Sequence, residues 1–259
     1  MKEIRIRNYM GAEISEIWAP DGTWREKTHS DVVTFHSYDN PPRSLLEHLE
    51  KQNTLYTDLT RNEDELLSEI RKNYRYEIRR SIKDNETEIE IYSPADLRKN
   101  DDIVREFREF HHEMYRAKGI DVTLTNLEVY PFIDADALWI TRAVKDGETL
   151  AVHTYLDLGD TARLYHSCSL FRDRKEEAAL IGRSNKRLHW EDMLYFKNKG
   201  FTTYDWGGIS SFDNPNGIDT FKLSFSGDVE RDRHTYYNGQ IPVTLKGRIM
   251  LKAYRIFIH

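Results

Sequence analysis

Cysteine is almost missing from this sequence. Cys168 stands alone among 259 residues, so no disulfide can form within the chain and a reducing compartment is expected. Long apolar runs are missing too. The opening stretch, MKEIRIRNYMGAEISE, lacks the hydrophobic segment of a secretory signal, and no later stretch reaches the length of a membrane span. A cytoplasmic protein is expected, free to visit the inner face of the membrane. Basic charge is not in excess. The 38 Lys and Arg are outnumbered by 44 Asp and Glu, and the net charge of −6 argues against nucleic acid as a bulk partner while leaving room for a local basic patch. There is no His-Glu-x-x-His, no cysteine cluster, no Gly-x-Ser-x-Gly elbow, no Walker loop and no Gly-x-Gly-x-x-Gly fingerprint. His111 and His112 are adjacent on an expected helix and point in different directions, so no metal site is expected.

What is present suits a folded domain: 39% of residues are apolar and 12% aromatic, enough for a real core. Residues 1–60 read as short strands at 4–8, 13–18, 32–37 and 55–58, punctuated by Pro20-Asp21-Gly22 and Asn40-Pro41-Pro42. A helix is expected from Thr60 to Asn85. Thr60 and Glu63 have capping-box spacing, and Glu63, Asp64 and Glu65 suit the positive end of the helix dipole. Leu67, Ile70, Tyr74, Ile78 and Ile82 fall on one face, and Lys72, Arg75, Arg79 and Lys83 form a basic stripe beside them.

The order then becomes regular. A strand is expected at 88–92. A helix marked by Ile103, Phe107, Phe110 and Met114 follows, and a shorter helix at 126–133. Strands at 138–145, 149–157 and 162–170 are joined by Asp146-Gly147 and Gly159-Asp160, both good hairpin turns. A polar loop, 171–177, leads into a long helix to Lys199, closed by Gly200. A strand at 201–206, the Gly207-Gly208 pair, a short helix after Gly217 and a strand pair at 229–237 complete the series. After Pro242 the tail alternates apolar residues (Val243, Leu245, Ile249, Leu251, Tyr254, Ile256) with Lys246, Arg248, Lys252 and Arg255. Such a tail either packs on its own domain or rests on anionic lipid.

Three segments carry a family resemblance. The first is the basic helix around Ile70-Arg71-Lys72-Asn73-Tyr74-Arg75 and Ile78-Arg79-Arg80-Ser81. The second runs from Asn185-Lys186-Arg187-Leu188-His189-Trp190 through Gly200 to Tyr204-Asp205-Trp206-Gly207-Gly208. The third, and most specific, is Gly217-Ile218-Asp219-Thr220-Phe221-Lys222-Leu223-Ser224-Phe225-Ser226-Gly227. Together they resemble the Fem family of peptidoglycan-bridge ligases within the GNAT acyltransferase superfamily. Ser226 departs from that signature, which has glycine there.

The resemblance implies an α+β, mixed α/β GNAT fold: a central mixed, mostly antiparallel sheet flanked by helices. It implies four segments: a truncated β-rich half-domain at 1–60, a basic connecting helix at 61–85, the acyltransferase domain at 86–240 and a basic amphipathic tail at 241–259. It also implies transfer of an acyl group, from acyl-coenzyme A such as acetyl-coenzyme A, to an amine on a cell-wall precursor or surface-polysaccharide amino sugar. Aminoacyl-tRNA is the alternative donor. A glycan-binding module without catalysis and a partner of a membrane-bound synthase remain as other readings.

Acyl transfer to an amine needs a neutral amine, a stabilised oxyanion and a protonated leaving group. Lys222 is the first candidate to stabilise that charge or hold the acyl carbonyl, and the resemblance implies that it faces the reaction centre, with Phe221 positioning the acyl group; the plainer alternative is a surface lysine on a short amphipathic helix beside core Phe221 and Phe225. Asp205, at a strand end before two glycines, offers a carboxylate to take the amine proton; the plainer alternative is a carboxylate bonding loop amides. Trp206, Gly207 and Gly208 would let a ligand approach the backbone. Gly182, Arg183, Ser184 and Asn185 are read as opening the long helix, where amides suit the coenzyme A pyrophosphate; an ordinary Ser184 cap is the alternative. Lys72, Arg75 and Arg79 would grip an anionic or phosphorylated acceptor, or else form a solvated helix face. His166 either lines the acceptor groove or is a satisfied strand histidine.

Overall fold

In the computed structural model the described residues are 2–9, 11–21, 23–24, 28–41, 48–171 and 174–258. Gly22 and Pro42, two of the expected turn residues, lie outside them, as do the side chains of Tyr254, Arg255 and Ile256 in the tail. The chain forms two compact units. One joins Met1–Thr54 to His234–His259, and the other is Leu55–Arg233. These divisions fall at 54/55 and 233/234, beside the expected segment boundaries at 60, 85 and 240.

The first unit holds β1 (Lys2–Tyr9), β2 (Ala12–Trp18), β3 (Val32–Tyr38), β10 (Arg233–Pro242) and the helix Leu245–Ile258. β1 pairs antiparallel with β2, β2 parallel with β3, and β3 antiparallel with β10. Alternation of apolar and polar residues in β3 puts Val33 and Phe35 in a core with Ile17, Trp24 and Ile241. Met250 and Leu251 of the tail bury against Ala12 and Val32. The tail is therefore part of this core, and β10 takes the place of the strand pair expected at 229–237, whose first half is a short helix, Val229–Asp232.

The second unit carries a mixed sheet in the order β4 (His48–Asp58, from Leu55 onward), β9 (Thr203–Ile209), β8 (Thr161–Ser169), β7 (Glu148–Asp157), β6 (Leu138–Lys145), β5 (Glu88–Tyr92). β5 to β8 pair antiparallel, and β8 and β9 run parallel. The hairpin turns fall where expected, with Asp146 and Gly147 at φ 51° and 81°. The sheet is thus mixed and mostly antiparallel, flanked by helices.

The expected helix 60–85 is two helices, α1 (Glu63–Glu69) and α2 (Lys72–Lys83). Asn62, not Thr60, caps α1, exchanging hydrogen bonds with Glu65. The break falls at Ile70, which is extended (ψ 134°), and the Arg71 amide donates to the Ser224 carbonyl at 2.8 Å. α3 (Pro94–Lys99) and α4 (Asp101–Arg116) follow, with Ile103, Phe107, Phe110 and Met114 buried as the periodicity requires. After α5 (Tyr130–Asp134) and the strands comes α6 (Ala178–Asn198), against which α2 packs. Arg187 of α6 donates to the carbonyls of Ser81 and Thr87 at the end of α2. α7 (Gly217–Leu223) is the short helix expected after Gly217. Among the described residues no helix is long and apolar enough to cross a membrane.

Candidate functional site

The parallel pairing of β8 with β9 is short. Thr161, Ala162 and Arg163 face Thr203, Tyr204 and Asp205, and the described register stops there although both strands continue. A cavity of about 430 Å³ lies against β8 just beyond this pairing. β8 contributes Leu164, Ser167 and Ser169 to its wall, α6 contributes Asn185, Lys186 and His189, and α7 contributes Ile218, Phe221 and Lys222. Three lysines, Lys118, Lys186 and Lys222, line it, and no carboxylate does among the described residues. Lys186 is paired with Glu77 at 2.7 Å and lies over the Tyr74 ring.

Local sequence fixes Lys222 firmly. The Asn216 side chain accepts from the amides of Ile218 and Asp219, and the Asp219 carboxylate accepts from the Asn216 amide at 3.1 Å and the Ser210 amide at 3.0 Å. This capping box clamps α7 to the end of β9. One turn on, the Lys222 ammonium donates to the Gly208 carbonyl at 2.8 Å. Burial pulls Lys222 down to about 8, and Arg163 works in the same direction, while Asp205 and Asp219 oppose it. Gly207 sits at φ 69°, and a Cβ there would stand 2.7 Å from the Leu164 carbonyl oxygen. No side chain fits between these strands, so the Gly208 carbonyl stays within reach of Lys222. An ammonium so placed can stabilise charge developing on a carbonyl oxygen.

Behind the cavity wall lies a fully buried polar chain. His189 Nδ1 is 2.9 Å from the Tyr204 hydroxyl, which is 2.7 Å from the Tyr155 hydroxyl. Tyr155 donates to Asp192 at 2.6 Å, and His153 Nδ1 meets the same carboxylate oxygen at 2.8 Å. His153 Nε2 contacts the Asn185 side chain at 2.8 Å, which brings the chain back to the cavity wall. His153, His189 and Asp192 are close enough to share a cation, but His153 uses both ring nitrogens and His189 uses Nδ1 in protein hydrogen bonds. Burial, with help from His153 and Lys222, holds His189 well below the usual histidine range, and burial first of all lifts Tyr155 and Tyr204 well above the usual tyrosine range.

No protein-family model matches the sequence, and no curated protein shows significant similarity to it. Solved structures do match. FemX shares 13% identity over 93% of this chain and 83% of its own, with a TM-score of 0.60. The C-terminal domain of a putative lysylphosphatidylglycerol synthetase from Agrobacterium fabrum shares 14% identity over 94% of this chain and 82% of its own, with a TM-score of 0.55. L-PGS from Bacillus licheniformis shares 11% over 98% and 86%, with a TM-score of 0.51. The fold is Fem-like.

Within this Fem-like fold the expected site residues separate into groups. Phe221, Lys222, Gly182 and Asn185 line the cavity. Gly208 enters through its carbonyl and Gly207 through the room it leaves. Asp205 does not line the cavity. It is fully buried, ion-paired with Arg163, and accepts from the Gly207 amide at 2.8 Å. It has no direct contact with the cavity, and these bonds are those of the alternative, a carboxylate holding backbone and an arginine. Trp206 is core, its Nε1 donating to the Thr57 hydroxyl at 2.9 Å. His166 lines no part of the cavity. Its ring packs on His111 and Phe107, and burial holds it at about 4.

Gly182, Arg183, Ser184 and Asn185 do not open α6, which begins at Ala178. Their amides lie in the second turn and are spent on helix bonds. The Ser184 hydroxyl donates back to the Leu180 carbonyl at 2.9 Å, and Arg183 forks onto Glu86 at 2.5–3.2 Å. The expected pyrophosphate cradle is therefore not formed by these four residues. Lys72 and Arg75 line a separate open groove of about 510 Å³, together with Arg71, while Arg79 lines neither site.

His153, Tyr155, His189 and Asp192 of the buried chain are not among the expected site residues. One signal in it was available: Asn185, His189 and Asp192 stand at i, i+4 and i+7 on a helix whose other buried residues there include Leu188, Trp190 and Met193. A polar stripe on a core face asks for buried partners.

Proposed function

We propose that the Leu55–Arg233 unit is a transferase that moves an uncharged or anionic acyl group from an activated thioester or ester to an amine. The observation that carries this reading is Lys222, held by a capped helix and the Gly208 carbonyl inside a cavity lined by three lysines and no carboxylate among the described residues. Lys222 polarises the acyl carbonyl, and Phe221, Leu164 and Ile218 receive the apolar part of the acyl chain. Positive surroundings disfavour the ammonium form of an acceptor, so the amine enters as the neutral nucleophile. The one cysteine, Cys168, is buried with its thiol pushed up to about 12, which supports direct transfer over a cysteine-bound intermediate.

Acyl-coenzyme A is the donor class that an uncharged acyl group favours. The acceptor is an amine on a phosphorylated cell-wall precursor or surface-polysaccharide amino sugar, its anionic part held in the groove of Lys72 and Arg75. Where that acceptor is lipid-linked, exposed Leu245 and Ile249 beside Arg248 offer the tail a contact with anionic lipid. A second reading, an aminoacyl-tRNA donor, is favoured by the likeness to FemX over most of the chain. The α-ammonium of an aminoacyl group would lie near the Lys222 ammonium in a cavity lined by no carboxylate among the described residues, which weighs against it.

The deciding assay offers the purified chain radiolabelled acetyl-coenzyme A, or charged tRNA, with a panel of amino sugars and nucleotide-linked cell-wall precursors. Label on an amine from acetyl-coenzyme A, lost in Lys222→Ala, is the expected result. Label only from charged tRNA establishes the second reading, and no transfer from either donor sinks both.

A further inference from the structure

The hydrogen-bonded chain behind the cavity has a direction, and that direction fixes the chemistry of His189. The Tyr155 hydroxyl has one proton, and it goes to Asp192 at 2.6 Å. The contact between the Tyr155 and Tyr204 hydroxyls at 2.7 Å must then take its proton from Tyr204. Having spent its proton, Tyr204 can only accept from His189 Nδ1 at 2.9 Å. His189 is thus the neutral tautomer protonated at Nδ1, and its lone pair is on Nε2, which has no hydrogen-bond partner among the described residues. His189 lines the cavity beside Phe221, with ring centroids 5.5 Å apart.

We propose that His189 Nε2 is the proton acceptor for the attacking amine and that Tyr204, Tyr155 and Asp192 are positioning residues that fix its tautomer. This rests on the acyl-transfer reading above. In the step, the amine nitrogen's lone pair forms the new N–C bond. The bond from the acyl carbon to the donor's sulfur or oxygen breaks, and its electron pair leaves with that atom. The proton shed by the amine goes to His189 Nε2 and is returned to the leaving atom, so the enzyme ends as it began. While Nε2 carries the proton, Nδ1–H keeps its hydrogen bond to the Tyr204 hydroxyl, and the buried surroundings that disfavour a positive ring drive the proton on to the leaving atom. Lys222 serves the carbonyl oxygen and His189 the nitrogen. Both reach the cavity from elements anchored on β9: Lys222 through Gly208, His189 through Tyr204.

His153 completes the arrangement from the other side. Its ring stacks on His189 with centroids 3.9 Å apart, and its Nδ1 meets Asp192. Because its Nε2 is engaged by Asn185, His153 has no lone pair to offer a substrate. The two stacked histidines are therefore not interchangeable.

Nitrogen-15 NMR of the histidine-labelled full chain tests the tautomer with no substrate present. At neutral pH His189 is expected to show a protonated Nδ1 and a bare Nε2, and Tyr204→Phe should abolish that preference. A protonated Nε2 in the natural chain, or the same fixed tautomer in Tyr204→Phe, overturns the proposal. Kinetics supply the second arm, in the acetyl-coenzyme A transfer assay that reads Lys222. His189→Gln should lower kcat about 100-fold with KM little changed, the lower range for loss of a general base. Should His189→Gln fail to fold, Tyr204→Phe is expected to lower kcat and shift its pH dependence. Undiminished kcat in a folded His189→Gln, or in Tyr204→Phe when that is the variant used, overturns the role of His189 while leaving the Lys222 reading intact. Absence of transfer by the natural chain would strike the acyl-transfer reading, and the proposed role with it, whatever tautomer NMR finds.

Discussion

The Lys222 ammonium and the Gly208 carbonyl oxygen are 2.8 Å apart, and this hydrogen bond ties the helix of the Gly-Ile-Asp-Thr-Phe-Lys motif to the glycine pair of β9. Two segments that the sequence separates by 14 residues therefore act as one clamp at the cavity wall.

Loss of the ammonium should affect catalysis far more than stability. Lys222→Ala is expected to lower kcat/KM by about 100- to 1,000-fold, the range for removing one stabiliser of a developing oxyanion. The folded chain loses one partly exposed hydrogen bond, about 1 kcal/mol or less. Steady-state kinetics beside a urea titration would separate the two effects.

The pH dependence of Lys222 has a definite sign. Burial lowers it from 10.5 to about 8. Activity that needs the ammonium is flat below about 8 and declines above it. Stability moves the other way: between about 8 and 10.5 the unfolded chain binds a proton that the folded chain lacks, so this group's contribution to stability rises with pH. Lys222→Met should remove that rise, as read by urea midpoints at the two ends of the window.

Gly207→Ala and Gly200→Ala form a controlled pair. Both glycines have positive φ, 69° and 92°. A Cβ at Gly200 meets nothing within 4 Å, so that variant carries only backbone strain, about 1–2 kcal/mol. At Gly207 the new methyl also strikes the Leu164 carbonyl oxygen at 2.7 Å. Gly207→Ala should melt lower than Gly200→Ala and lose activity as Gly208 shifts from Lys222. Equal melting temperatures would contradict the close approach.

Asp205 is expected to be a structural residue. Asp205→Ala removes the carboxylate that is paired with the buried Arg163 and should cost about 3–5 kcal/mol, as other broken buried pairs do. A folded Asp205→Ala with full stability and no turnover would restore it as a catalytic base.

Acid resistance should depend on Glu69. Hydrogen bonds from Arg231 and Arg61 hold it at about 2, below its ordinary value of 4.5. Its contribution is present above about 4.5 and is lost as pH falls toward 2. Glu69→Gln should flatten the loss of stability across that window, measured by thermal unfolding at stepped pH.

Local patterns carried much of the fold into view. The β6–β7–β8 meander was legible because Asp-Gly and Gly-Asp pairs interrupt alternating strands, and α7 because Gly217 to Phe225 matches a specific signature. The helix at 60–85 misled because its apolar stripe continues across Ile70, where a tertiary bond to Ser224 breaks the helix. Asp205 misled for a related reason: its partner Arg163 is 42 residues away, on the neighbouring strand. His153 and Asp192, 39 residues apart, meet only because α6 lies on β7. Pairs of this kind leave no local periodicity to read.

The unit built from Met1–Thr54 and His234–His259 has an implication for biosynthesis. During synthesis β3 waits for β10, and Val32 waits for Met250 and Leu251, all made after the Leu55–Arg233 unit. Domains generally fold as they appear, so this unit, with its cavity and buried histidines, is expected to form while the β3 edge that takes β10 is still unpaired. That open edge is then the segment most in need of chaperone cover during translation.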